Sequence, residues 1–301
     1  MSLRRRRRQH HRMFGSKEGE SPPFSFVRAY LHARGASACS DAGNGVRRAA
    51  HRNLSVNREP LFNVPTVVAA LVAIMALINA IFQYALAPEQ QELVLKLFAF
   101  IPARYDASIF PYPGGFAGNL WTFVTYSFLH ASWMHFGVNA IWFLPFGSAV
   151  ARRFGTWRFL AFFAVTAAAG AAMHLATHAG EQYPMIGASA AISGTMAAAM
   201  RFAFQRGGPL GMLRANDEDA YRVPALPLSG VLRDARVLLF LAVWFGVNIV
   251  FGVGTFPSLT GGETVAWQAH IGGFLAGLLL FAWFDPAPDL PQYDDSTAMR
   301  S

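Results

Sequence analysis

The chain has 301 residues, 53% hydrophobic and only 14% charged, with a mean hydropathy of +0.30. Soluble domains carry roughly 25% charged residues, so the composition excludes an ordinary soluble domain and indicates an all-α membrane protein. The single cysteine, Cys39, excludes an intramolecular disulfide, and the formal net charge of +8 is too unevenly spread to point to nucleic acid.

Thirteen of the 25 basic residues precede residue 64, among them the run Arg4-Arg5-Arg6-Arg7-Arg8. This segment lacks apolar periodicity and reads as a disordered basic cytoplasmic tail over residues 1–63. Beside a membrane span such a run meets anionic lipid, so membrane lipids are expected partners and nucleic acid is not. No short apolar stretch follows it, which argues against a secretory signal; an organelle leader stays open. A span needs about 20 mostly apolar residues, and six runs qualify: 64–85, 133–150, 157–177, 187–204, 236–253 and 265–284. Between the first two lie amphipathic stretches at 93–100 and 120–126, too short and polar to span, which are expected at the membrane surface. A small soluble cap is the plainer alternative for this loop. Residues 285–301 read as a short cytoplasmic tail. No further apolar run flanks the six, which favours a bacterial inner membrane over an organelle's.

The remaining basic residues orient the chain. Arg152, Arg153 and Arg158 lie in one loop, six arginines lie in 201–236, and Arg300 is in the C-terminal tail. The opposite loops hold only Lys96 and Arg104. Both termini are therefore expected to be cytoplasmic. Spans two, four and six then all run inward, and His135, Asn139, Ser189 and His270 fall near their outer ends at similar depth.

An ionisable side chain inside a span is costly and usually functional. His270, Gly273 and Gly277 share one helix face, and span four is rich in small residues from Gly187 to Ala199. Small residues let helix backbones approach closely, so a crossing of these spans would bring His270 to Ser189. A serine becomes nucleophilic when an adjacent base takes its proton. His135 and Asn139, four residues apart, could hold the charge that develops on an attacked carbonyl. Each also has a plain structural reading: Ser193 and Ser148 are expected to bond back to their own helices, and His or Asn can simply tie helices together. Spacing alone leaves Ser189 and Ser193 open as nucleophile. Other chemistries fit worse. His174 and His178 have zinc-protease spacing, but Leu175 stands where glutamate is needed. No carboxylate lies in a span for an aspartyl mechanism, Ala191 breaks a Gly-x-Ser-x-Gly elbow, and a transporter stays open although the sequence shows neither a discontinuous pair of helices nor an internal repeat.

Over residues 64–284 the sequence resembles the rhomboid family of intramembrane serine proteases. Three motifs carry the likeness, in the family's order: His130 to Asn139 as H-x4-H-x3-N, Gly187-Ala188-Ser189, and Ala269-His270 with Gly273 and Gly277. The resemblance implies a six-transmembrane-helix rhomboid-like bundle with a membrane-lying loop between helices one and two. It implies a Ser189–His270 dyad, an oxyanion site from His135, Asn139 and the Ser189 amide, and no metal or organic cofactor. Substrates would be single-pass transmembrane proteins cut near the non-cytoplasmic boundary; the alternative is an inactive relative that binds membrane clients. Three positions depart from the family pattern. Ala190 follows the nucleophile where glycine is usual, adding a methyl near the site. Ser193 stands where many members carry a tyrosine against the histidine, and the first-loop Trp-Arg pair reads Trp121-Thr122.

Overall fold

Backbone groups facing lipid must be satisfied within their own segment, which restricts spanning elements in a chain of this kind to helices. The computed structural model describes residues 64–106, 112–210, 218–252 and 265–286. The expected tail 1–63, and all but two residues of the expected tail 285–301, lie outside the described residues. Among the described residues there is no strand, only an isolated antiparallel bridge between Phe100 and Met185.

Helix α1 (Thr66–Tyr84) follows Pro65 and turns its Val68, Leu71, Met75 and Asn79 inward at helical spacing. Two short helices, α2 (Pro88–Phe98) and α3 (Gly115–Thr125), occupy the following loop, where the amphipathic stretches 93–100 and 120–126 are predicted. They are wrapped around Arg104, which is 7% exposed. Its guanidinium donates to the carbonyls of Lys96 and Pro113 and stacks on the Tyr112 ring, 5.1 Å from its centroid. The organising cation of this loop therefore comes from Arg104, while Thr122 beside Trp121 bonds to the Gly118 carbonyl at 2.9 Å. The bridge at Phe100 and Met185 ties the same loop to the segment leading to Ser189.

Ser132 caps α4 (Trp133–Phe154), its Oγ accepting from the His135 amide at 3.2 Å. Helices α5 (Thr156–Thr177) and α6 (Ser189–Met200) follow, then the single turn α7 (Leu228–Val231), α8 (Ala235–Gly252) and α9 (Trp267–Phe284). Each expected span thus coincides with an apolar helix. Helices α1, α4, α5 and α9 are long and apolar enough to cross a membrane by length and composition; α6 and the stretch Ala235–Val250 of α8 are apolar but shorter. The expected span 187–204 is the clearest difference. Its helix has 12 residues, about 18 Å at 1.5 Å per residue, because Gly187 and Ala188 form its approach and the chain turns again after Met200. A helix this short suffices because α4, α5 and α9 surround it and every residue from Ala190 to Met200 is buried.

Small residues make that packing possible. A Cβ on Gly273 or Gly277 of α9 would overlap the backbone of Ala190 or Gly194 of α6. A Cβ on Gly170 of α5 would lie 2.5 Å from the Ala190 methyl, and one on Gly194 2.5 Å from Thr166. Helices α5, α6 and α9 therefore meet backbone to backbone, the association small residues permit where lipid supplies no hydrophobic drive. At the far end, Arg153 is 5% exposed and pairs bidentately with Asp285 at 2.8 and 2.9 Å. It also donates to the carbonyls of Tyr221 and Val223.

One consequence is measurable. Gly277→Ala places a methyl against backbone that cannot rotate away, so it should lower stability by about 1–3 kcal/mol. Gly246→Ala on α8 meets nothing within 4 Å and should be neutral or stabilising by up to about 1 kcal/mol. Thermal unfolding of both variants in detergent checks this; equal midpoints would show that the close crossing contributes no stability.

Candidate active site

Three helices that run in the same direction bring their N-terminal ends together. Ser189 is the first residue of α6, and His270 is the fourth of α9. The crossing at Gly273 and Gly277 sets Ser189 Oγ 2.7 Å from His270 Nε2. This is hydrogen-bonding distance for a hydroxyl and its acceptor. Ser193, one turn on, donates instead to the Ser189 carbonyl at 2.7 Å and makes no hydrogen bond to His270. Ser148 does not bond back as the sequence suggests: its Oγ is buried without a hydrogen-bond partner among the described residues.

The approach to Ser189 is fixed from the other side. Gly187 donates to the Tyr126 carbonyl at 3.0 Å, and the Tyr126 hydroxyl donates to Ala167 of α5 at 2.9 Å. Gly187 has φ +112°, and a Cβ there would lie 2.6 Å from His135 Nε2. Only glycine satisfies both the backbone and the space. The His135 ring therefore lies directly against the residue two before the serine. Its Nδ1 is buried without a partner among the described residues. Asn139 is 6% exposed and donates one amide proton to the His135 carbonyl at 2.9 Å, leaving its second proton uncommitted to that bond. The Ala190 methyl, expected to crowd the site, packs against Gly170 of α5.

A further polar residue joins this group. Asn248 of α8 contacts His270 Nδ1 through its Oδ1, and its own Nδ2 donates to the Trp244 carbonyl at 2.8 Å. Sequence reasoning passed over it. The available signal was its isolation: between Val237 and Gly252, Asn248 is the one amide or hydroxyl side chain.

Chemically, the arrangement offers a hydroxyl with a base at hydrogen-bond range, plus polar groups beside it on α4. A family model described as the Rhomboid domain matches residues 117–285. The chain is also similar to "Rhomboid-like protease 3" of Toxoplasma gondii, with 25% identity over 225 residues that cover 73% of this chain and 69% of that protein.

Just before α4, His130 is 1% exposed, and its ring meets that of His135 edge-on with centroids 5.2 Å apart. Burial first, then the neighbouring His135, pushes its pKa from 6.5 down to about 3, against a smaller opposing contribution from the Phe128 backbone. The folded protein therefore binds fewer protons here than the unfolded chain. This contribution to stability is complete above 6.5 and is lost as pH falls from 6.5 toward about 3. His130→Asn should flatten the fall in unfolding temperature between neutral pH and about pH 4. A variant as acid-sensitive as the parent would remove His130 as its source.

Proposed function

The chain belongs to the rhomboid family, and we propose that it is an intramembrane serine endopeptidase acting on single-pass transmembrane proteins near the non-cytoplasmic boundary. The observation that carries this reading is the 2.7 Å separation of Ser189 Oγ and His270 Nε2 within an apolar bundle. Ser189 Oγ attacks the scissile carbonyl carbon as its proton passes to His270 Nε2. The carbonyl oxygen becomes an oxyanion held by His135, Asn139 and the Ser189 amide. Collapse breaks the C–N bond, and the leaving amine takes the proton from Nε2. Water then adds to the acyl ester, giving its proton to Nε2, and the acid is released as Ser189 regains its hydrogen.

Electrostatics supports the oxyanion assignment. The N-terminal end of a helix carries partial positive charge, and Ser189 begins α6 while His135 and His270 lie in the first turns of α4 and α9. Preorganised donors aimed at developing charge are usually the largest catalytic contribution. The relative from Toxoplasma gondii is named a protease, which agrees.

The same reading places both termini in the cytoplasm, on the strength of the arginines around the α4–α5 turn and after α6. Helices α2 and α3 lie at the outer membrane surface in this orientation, and the basic N-terminal segment meets anionic lipid. The proposal of a bacterial inner membrane rests on the sequence alone.

Ser193 favours a second reading, a relative that binds membrane clients without cutting them, because its hydroxyl bonds to the Ser189 carbonyl and makes no hydrogen bond to His270. Ser189→Ala and His270→Ala separate the two. Each should reduce cleavage of a reporter transmembrane substrate in liposomes to at most about a thousandth, with insertion and unfolding temperature unchanged. A fluorophosphonate probe should label the parent and neither variant. Folded parent protein that takes up no label, or cleavage undiminished in both variants, would overturn the protease reading.

A further inference from the structure

We infer that Asn248 is a positioning residue for His270, fixing the imidazole in the one tautomer that can accept the Ser189 proton. The inference rests on the protease reading above for its consequence in catalysis, and on the geometry of α8 and α9 for the contact itself.

The argument is one of hydrogen-bond direction. The Trp244 carbonyl can only accept. The atom of Asn248 facing it at 2.8 Å must therefore be the amide nitrogen. That orientation turns the amide oxygen toward His270 Nδ1. An amide oxygen can only accept in turn, so Nδ1 must carry the proton. In neutral imidazole the other nitrogen is then a lone-pair acceptor, and it is Nε2 that faces Ser189 Oγ at 2.7 Å. One backbone carbonyl on α8 thus dictates the direction of every hydrogen bond up to the serine hydroxyl.

The helices are built to hold this chain of bonds. Trp244 and Asn248 are four residues apart on α8, and His270 and Phe274 are four apart on α9. Trp244 stacks on Phe274 with centroids 5.0 Å apart, and Phe245 also meets Phe274 at 6.1 Å. The aromatic contact and the Asn248–His270 contact are successive rungs between the same two helices. The aromatic rung sets the register, and the polar rung uses it. Ser193 bonds to its own helix, so the positioning that a ring at that place would give falls to Asn248, from a different helix.

Three variants and a measurement independent of activity test this. Asn248→Leu keeps the volume but removes the acceptor. It should slow fluorophosphonate labelling of Ser189 and lower kcat by about tenfold to a hundredfold, a part of the roughly 10²–10⁴ that a positioned base supplies. KM should stay within about twofold, because substrate contacts are untouched. Asn248→Asp keeps an acceptor oxygen at the same reach and should recover most of the loss. Gly246→Ala on the same helix, where an added methyl meets nothing within 4 Å, should stay close to the parent. The nitrogen-15 spectrum of His270 in reconstituted protein should report Nδ1–H in the parent and loss of that single tautomer in Asn248→Leu. An Asn248→Leu protein with parental labelling and tautomer would overturn the inference. So would Asn248→Asp protein as slow as Asn248→Leu at equal unfolding temperature. If His270 shows the Asn248-dependent tautomer while the parent takes no Ser189-dependent label, the positioning contact stands and the protease reading fails.

Discussion

The close crossing of α6 and α9 is the constraint on which the remaining geometry depends. It has two rungs, Gly273 on Ala190 and Gly277 on Gly194, each a backbone-to-backbone contact one turn from the next. Both helices advance four residues between rungs, so neither can slide by one residue without driving a side chain into a carbonyl. Ser189 precedes the first α6 rung by one residue, and His270 precedes the first α9 rung by three. Their separation of 2.7 Å is thus a consequence of helix register. A surface loop would not give the same reproducibility. Helix α5 locks the pair from behind through Gly170 and Thr166, which is also why a methyl at Ala190 is accommodated: the third helix gives up its side chain there.

The two ends of the bundle handle polarity differently. At the end away from Ser189, Arg153 and Asp285 form a buried ion pair, 1% and 9% exposed in their side chains. Burying such a pair carries a desolvation cost that can exceed the Coulomb attraction; here four hydrogen bonds from one guanidinium share the charge among Asp285, Tyr221 and Val223. The result fastens the C-terminal ends of α4 and α9 to each other and to the 218–223 segment. With those ends fixed, the N-terminal ends that carry His135 and His270 have less freedom to separate. At the Ser189 end no ion pair is found among the described residues around the serine, and the polar groups are neutral amides, imidazoles and hydroxyls. The buried ion pair and the Ser189 group are kept at opposite ends of the bundle.

How much of this was legible in the sequence follows from what each pattern encodes. The apolar runs map onto all six apolar helices, because lipid enforces composition residue by residue. The coincidence in depth of His135, Asn139, Ser189 and His270 was readable for the same reason. The shortness of α6 was not, since a helix buried by its neighbours is as apolar as one that faces lipid. Arg104 was read only as one of two basic residues in an outer loop. Its burial depends on chain closure between Lys96 and Pro113, which spacing does not reveal. Asn248 was missed because its meaning depends on the rotation of α8 about its own axis. An all-round apolar helix carries no stripe to fix that rotation, and only the Trp244–Phe274 stacking does so. Ser148 shows the opposite error: a general tendency of membrane serines was applied to one whose hydroxyl stays unpaired among the described residues.

A neutral third group suits this location for a physical reason. In the proposed mechanism, a carboxylate beside His270 would stabilise the imidazolium that forms as the serine loses its proton. It would also have to be held ionised in a low-dielectric bundle, where each buried ion costs several kcal/mol unless fully paired. An amide secures the tautomer without that cost, but it contributes less to stabilising the cation. The balance must then come from the other charge created in the same step. In the proposed mechanism an oxyanion appears beside Ser189 when the proton moves to His270, and in a medium of low dielectric constant two opposite charges a few ångströms apart attract far more strongly than in water. In that mechanism the donors of α4 and the first turn of α6 would hold the negative member in place, and Asn248 the ring that carries the positive one. On this view His135, Asn139 and Asn248 serve one end. They keep the two halves of a transient ion pair at a fixed short distance, so that the scarcity of water, which makes peptide hydrolysis inside a membrane seem unfavourable, instead strengthens the attraction that lowers its barrier.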